Sequence, residues 1–242
     1  MKDWPDMERE DTRQSGTGAP VIDAAGSRRG YRRLARIYDW LAVPWLTNGL
    51  RREAVARLEL RRGYSVLDLG CGTGLSFPFL VDAVGPDGRV VGADLSPDQL
   101  ARARERAAVA GWENVSLVEA NAEELSLDGQ FDGILSSYTH DIMTSPLAVE
   151  RAVAHLKPRG RFVALGFVRP TGWRAPLNLA FVIFYKVLRV PVNWDAETSH
   201  RPWTNLERAL GRVSVKERLL GTWYRAAGTK AVAGDGPESR AS

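Results

Sequence analysis

The chain has 242 residues, 44% of them hydrophobic, and its 33 Lys and Arg against 29 Asp and Glu leave a formal net charge of +4. That length and composition suit one buried core with polar tails, which excludes a string of several domains and a wholly unfolded chain. A single cysteine, Cys71, excludes an internal disulfide and fits a reducing cytoplasm, where the protein is expected.

Residues 1–28 are rich in Asp, Glu, Gly, Ser and Thr without periodicity and read as a disordered tail. No apolar h-region opens the chain, so a signal peptide is not expected. Tyr31, Leu34, Tyr38 and Leu41 then fall at helical spacing with arginines between them. Pro44 breaks that helix, and a second is predicted from Thr47, as its N-cap, to Leu60. Strands are predicted near 65–69, 89–94, 115–119, 131–136 and 161–167, with helices near 74–84, 97–110 and 146–156. Ser96 followed by Pro97 is a helix start, with Ser96 as cap. Lys157-Pro158-Arg159-Gly160 reads as a helix exit and tight turn. Alternating strands and helices argue a parallel sheet covered on both faces. The end differs. A helix over 204–210 stops at Gly211, and two β-patterned runs, Val213 to Leu220 and Thr222 to Ala227, flank Gly221 and are predicted to pair antiparallel. Residues 232–242 read as a second disordered tail, which leaves a single domain over 29–231.

Charge divides the domain. Residues 31–62 hold 8 basic and 3 acidic side chains, 63–168 hold 8 and 14, and 169–230 hold 11 and 4. An acidic core therefore lies between two basic flanks. If the flanks meet above a site, they form a positive surface at its entrance. No clustered basic and aromatic motif names a nucleic-acid-binding module, and no nucleic acid partner is expected.

Val66-Leu67-Asp68-Leu69-Gly70-Cys71-Gly72-Thr73-Gly74 carries most of the functional information. An apolar strand runs into glycines at alternate positions, and a second strand ends in an acid, Asp94. Glycine is needed where backbone turns tightly or approaches a ligand without a Cβ between them. A helix start behind such a loop offers unpaired N–H groups. An acid about 20 residues on can accept bonds from ribose hydroxyls. The order Asp68-x-Gly70-x-Gly72-x-Gly74 is not the dinucleotide G-x-G-x-x-G, and without a following Lys-Ser/Thr it is not a P-loop. An acid ahead of the glycines repels a pyrophosphate and suits a ligand with an ammonium group.

This run resembles motif I of the class I S-adenosylmethionine (SAM) methyltransferases. The resemblance implies a Rossmann-like, doubly wound, seven-stranded α/β sheet whose last strand inserts antiparallel beside the fifth. It also implies SAM as cofactor. Asp68, Gly70, Cys71, Gly72 and Gly74 would lie along its methionine moiety. Asp94 would hold the ribose and Leu95 would cover the adenine. Asn121 and Ala122 would meet the adenine edge, Asn121 standing where the family often has Asp. The fourth strand ends in Ser136-Ser137-Tyr138-Thr139-His140-Asp141, which in this family faces the sulfonium, so Ser137 joins the set and His140 is the candidate general base. Tyr38-Asp39 is similar to the Tyr-Asp pair of the ubiquinone/menaquinone and phospholipid methyltransferase subgroup, whose first helix folds over the cofactor and brings its tyrosine, here Tyr38, near the methionine end.

Residues 169–203 do not belong to the minimal fold. Within them, the predicted helix Leu177 to Val190 confines Asn178, Lys186 and Arg189 to one narrow face. The apolar run there is too short and too polar to span a bilayer. The segment is expected to cap the site together with 31–62, to choose a small apolar or lipid-like acceptor such as a quinone or phospholipid head group, and to rest peripherally on anionic membrane. Two readings stay beside this one: a SAM-fold protein without methyl transfer, cyclase-like or a binding subunit, and a methyltransferase of a polar secondary metabolite. The sequence leaves the acceptor atom (C, N or O), the use of a base and the oligomeric state open.

Overall fold

Strand β1 (Ser65–Leu69) sits at the centre of the sheet. Successive side chains of a strand point to opposite faces. Val66 therefore packs into one core, and Leu67 and Leu69 into the other. Asp68 shares the face of Val66 and is buried, with 1% of its surface exposed. The computed structural model describes residues 44–168, 201–218 and 221–232, and elements are numbered within those residues.

After β1 come α2 (Phe77–Val84), β2 (Arg89–Asp94), α3 (Pro97–Ala110) and β3 (Val115–Glu119). A 3-10 turn (Ala122–Glu124) leads to β4 (Phe131–Ser137), α4 (His140–Thr144), α5 (Pro146–Ala154) and β5 (Leu156–Phe167). The last elements are α6 (Thr204–Leu210), β6 (Val213–Arg218) and β7 (Trp223–Thr229). Helix α1 (Pro44–Arg57) precedes β1. The sheet order is β3-β2-β1-β4-β5-β7-β6. The first five strands are parallel, and β7 enters antiparallel between β5 and β6. This is the expected seven-stranded sheet with its last strand beside the fifth.

Helices α1, α2 and α3 bury Ala54, Val55, Phe77, Leu80, Leu100 and Ala103 against one face of the sheet. Helices α4, α5 and α6 bury Met143, Val149, Ala152 and Leu206 against the other. The chain winds outward from β1 in one direction through β2 and β3, then returns to β4 and β5 in the other. The switch point lies between β1 and β4, and doubly wound folds bind their ligands outside the carboxyl ends of the strands at such a point.

Three local expectations change. Helix α1 starts at Pro44, not Thr47. A proline at the start of a helix loses no intrahelical bond, and the Thr47 hydroxyl accepts from Arg51 Nη1 at 2.7 Å inside the helix instead of capping it. The helix expected from residue 74 starts at Phe77, because Gly70, Gly72 and Gly74 take φ of 70°, 55° and 77°, outside the helical region. Residues 157–160 do not leave the sheet. Leu156 already pairs with Phe131, the register shifts between Phe131 and Gly133, and Arg159 takes φ 63°. Arg159 N donates to Lys230 O, and Lys230 N donates to Gly160 O. The segment is thus a bulge held on both sides. Tyr38, the predicted helix around it, and residues 169–200 of the expected cap lie outside the described residues.

Candidate active site

The glycine loop is stapled to the end of β2. Gly70 N and Cys71 N both donate to Ala93 O, at 2.8 and 3.0 Å. Gly72 N donates to Asp94 Oδ2 at 2.8 Å, and Ser96 N to Asp94 Oδ1 at 2.9 Å. One carboxylate therefore ties the loop to the first turn of α3. Arg106, further along α3, donates from Nε to Thr73 O at 2.9 Å. Burial raises the pKa of Asp94. The bonds from Ser96 and Gly72 oppose that rise, and Asp141 adds to it.

Two glycines of the loop are required for different reasons. A Cβ at Gly70 would lie 2.3 Å from Thr139 Cγ2 and 3.0 Å from Ile142 Cδ1, so the start of α4 rests directly on the loop. A Cβ at Gly72 would meet nothing closer than Gln99 Oε1 at 3.9 Å. Gly72 thus leaves a cradle open in front of backbone, the arrangement expected where a ligand lies against the main chain.

Asp68 is the most unusual group in the crevice. It is buried, and among the described residues neither carboxyl oxygen has a hydrogen-bond partner. Burial pushes its pKa up to about 7. The Arg51 guanidinium acts against that shift and Asp94 adds to it. Buried polar groups are normally bonded, so an orphaned carboxyl at a strand end fits a site completed by a cationic ligand. The ammonium of a SAM methionine meets that requirement.

Arg51 has no signature in the sequence. It lies on α1, with 4% of its surface exposed, and its guanidinium sits 4.9 Å from the centre of the Tyr138 ring, a cation–π contact. Helix α1 is fixed over the sheet by Glu53, which pairs with Arg218 of β6 at 2.9 Å and with Arg225 of β7. Tyr138 directly follows β4 and takes φ 62°, a strained value for a bulky residue. Its ring packs on Phe167 and Trp223 at 5.3 and 5.5 Å between centroids. Three rings and one guanidinium thus gather at the carboxyl edge of β4 and β5.

The remaining sequence candidates fall around the same crevice. Leu95, half-buried, follows Asp94. Asn121 Oδ1 accepts from Glu123 N at 3.1 Å, capping the 3-10 turn in which Ala122 is buried. One acceptor site of that amide is therefore taken. Ser137 Oγ is buried and has no partner among the described residues. His140 opens α4, and burial lowers its pKa, so the imidazole is neutral near pH 7. The loop, Asp94, Asn121, Ser137 and His140 all stand at strand ends or directly after them. Arg51 and the Phe167–Trp223 pair beside Tyr138 are what the sequence reading missed.

Residues 66–160 match the family model described as a methyltransferase domain. The demethylmenaquinone methyltransferase of Symbiobacterium thermophilum is 29% identical over 176 residues, which cover 69% of either chain. That of Listeria monocytogenes is 30% identical over 145 residues, 58% of this chain and 59% of its own length. A SAM-dependent methyltransferase from Aquifex aeolicus shares the fold at a TM-score of 0.54 and 19% identity, over 74% of this chain and 88% of its own. So does a Haemonchus contortus phosphoethanolamine N-methyltransferase, solved with phosphomonomethylethanolamine and S-adenosylhomocysteine, at 0.61 and 16%, over 76% and 53%.

With the domain match, the sheet order and the glycine loop together, the class is defined: the chain is a class I SAM-dependent methyltransferase, and SAM is its cofactor.

Proposed function

We propose that the enzyme methylates a ring carbon of an apolar aromatic diol of the demethylmenaquinol type. The aromatic group Tyr138–Phe167–Trp223, with Arg51 over Tyr138 at the carboxyl edge of β4 and β5, carries this reading. Flat rings stack on aromatic faces, and a buried guanidinium favours an acceptor oxygen that bears negative charge. The names of the relatives that match the chain from bacteria support the same class. The reduced diol, not the quinone, is the acceptor, because only the electron-rich ring is nucleophilic.

When bound, SAM supplies a methyl group already activated on a sulfonium. The residues of the chain bind, align and exclude water. Asp68 takes the ammonium, and the glycine loop with Asp94 takes the ribose and methionine. The Asn121–Ala122 turn and Leu95 bound the adenine. Arg51 and the aromatic group hold the acceptor ring in line with the S–CH3 bond. His140, as a neutral imidazole, would take up the proton that the ring carbon gives up on receiving the methyl group that SAM would supply.

The anchoring part of this reading has a direct check. Asp94→Ala removes a carboxylate that binds both loop and ligand. It should cost about 1.5–3 kcal/mol in SAM affinity, the scale for hydrogen bonds to a charged group. Isothermal calorimetry with S-adenosylhomocysteine reads this, and unchanged affinity removes Asp94 from the site.

The acceptor part is tested with methyl-labelled SAM and a short-chain demethylmenaquinol, presented in anionic or in neutral vesicles. Label should enter the quinol ring. The two basic flanks of the sequence predict a higher rate on anionic vesicles, declining as salt rises. Transfer to phosphatidylethanolamine with none to the quinol would replace this acceptor. Equal rates on both vesicle types would remove the membrane contact. No helix among the described residues is long and apolar enough to cross a membrane.

A further inference from the structure

Strands β6 and β7 carry more positive charge on one face than their packing uses. Lys216 lies directly opposite Arg225 in the antiparallel pair, and Arg218 directly opposite Trp223. Residues so paired share a face of the sheet, and like charges in that position repel. Glu217, the acid between the two cations of β6, alternates to the other face. Helix α1 supplies the counter-charge. Glu53 pairs with Arg218 Nη2 at 2.9 Å and with Arg225 Nη1. Two guanidinium groups thus share one carboxylate, and Lys216 has no ion pair among the described residues.

These groups line one recess between α1 and the sheet, together with the apolar side chains of Leu50, Leu165 and Trp223. Glu53 and the two arginines already fasten α1 to the sheet, so Lys216 adds repulsion without a structural gain. Three cations around one acid leave an excess of positive charge. Arg225 is held with 11% of its side chain exposed, while Arg218 keeps 46% exposed. An arginine fork presents paired N–H donors to a phosphate, and a lysine adds a point charge. The recess also adjoins the aromatic group. Phe167 pairs with Trp223, and Trp223 with Arg218, so the cation follows the rings in one row across the sheet. The Trp223 ring lies 4.5 Å from that of Phe167 and 5.5 Å from that of Tyr138 between centroids.

We propose that this recess, with Lys216, Arg218 and Arg225 around Glu53, binds the phosphate of an anionic phospholipid and so holds the β6 edge of the sheet on a membrane surface. Charge complementarity selects the occupant. A lipid phosphate is an anion joined to apolar chain, and the recess sets its cations beside Leu50 and Trp223. A free phosphate would leave that apolar lining uncovered. Each cation near an anionic leaflet adds to the attraction, and salt screens it. The site stands on this charge geometry. Its use in delivering the acceptor rests on the reading that the acceptor is apolar and drawn from a lipid phase, since the aromatic group stands one residue pair from Arg218.

The test is flotation of the full chain with vesicles of phosphatidylglycerol or of phosphatidylcholine. Wild type should float with phosphatidylglycerol at low salt and not with phosphatidylcholine. Lys216→Gln and Arg218→Gln should each weaken that binding about fivefold, the scale for one cation near an anionic membrane. Arg104→Gln removes the same charge from an exposed position of α3 and should leave binding close to wild type. Lys216→Gln breaks no ion pair among the described residues and should melt with wild type, so its weaker binding is not a loss of fold. Equal weakening by Arg104→Gln would make the attraction diffuse and overturn the site. So would unchanged flotation of Lys216→Gln and Arg218→Gln. Calorimetry with inorganic phosphate separates the sources. Phosphate bound by wild type but not by Lys216→Gln, without flotation, assigns the recess to a soluble phosphate and overturns the lipid. Activity separates this site from the acceptor. Lys216→Gln should raise KM for a vesicle-borne demethylmenaquinol about fivefold and leave kcat unchanged. If wild type does not methylate the quinol while flotation still responds to Lys216→Gln, the acceptor reading fails and the lipid site stands.

Discussion

Replacing Asp68 with Asn should make the ligand-free enzyme more stable at alkaline pH while disabling its cofactor site. The ordinary carboxyl pKa of 3.8 rises in the folded protein to about 7, chiefly through burial. A raised carboxyl pKa means that the native state holds a proton which the unfolded chain has already released. Native stability from this group is therefore intact below pH 4, falls as pH climbs from about 4 to about 7, and stays low above that. A rise of that size corresponds to roughly 4 kcal/mol. Urea unfolding at pH 5 and pH 8 reads the effect: the wild-type stability should fall more between these values than that of Asp68→Asn. Binding moves the other way. A buried ammonium deprived of its carboxylate costs about 3–5 kcal/mol, so Asp68→Asn should bind S-adenosylhomocysteine some hundredfold or more weakly. In wild type the ligand's ammonium restores the ionised carboxylate, so binding near pH 6 should release a proton, seen as a dependence of calorimetric heat on buffer ionisation enthalpy. Identical pH dependence of stability in both proteins, or binding without proton release, rejects this account of Asp68.

The sequence carried these features unequally, and the difference follows the range of the interactions. Asp68, the glycines and Asp94 could be read in order because one strand, one turn and the next strand set their spacing through local geometry. The Gly221 break between two β-patterned runs pointed to the antiparallel pair for the same reason: β6 and β7 pair across it. Arg51 could not be read this way. An arginine on a helix resembles any solvated arginine, and only the packing of α1 over the sheet turns its charge inward onto Tyr138. Competition between local signals moved the start of α1. Thr47 is a good cap by residue type, but Pro44 supplies an earlier start, and the Thr47 hydroxyl is taken by Arg51. The bulge at 157–160 reads as a helix exit locally. It stays in the sheet because Phe131 on one side and Lys230 on the other hold its backbone.

For a hydroxylated aromatic acceptor, His140→Ala should lower kcat about 100-fold, the ordinary scale of general acid–base catalysis, while SAM affinity stays unchanged. His140 opens α4 immediately after the strained Tyr138, and the contacts of Thr139 and Ile142 with Gly70 seat that turn against the glycine loop. Replacing the imidazole leaves the loop's own bonds to Ala93 and Asp94 in place. Burial lowers its pKa below the ordinary 6.5, so the base form dominates at neutral pH. The wild-type kcat should be level at and above neutrality and should fall as acid protonates the ring below pH 6.5. His140→Ala should lose that acid limb as well as the rate. His140→Gln keeps a polar side chain of similar reach but cannot take up a proton, so it should behave like the alanine variant. If the glutamine variant restores kcat, His140 positions the acceptor and the proton leaves to water. An unchanged kcat at saturating acceptor for both variants removes a base from the mechanism altogether, leaving alignment by Arg51 and the aromatic group to account for the rate. A 100-fold loss of rate with the acid limb still present in the residual activity would assign that limb to a group other than His140.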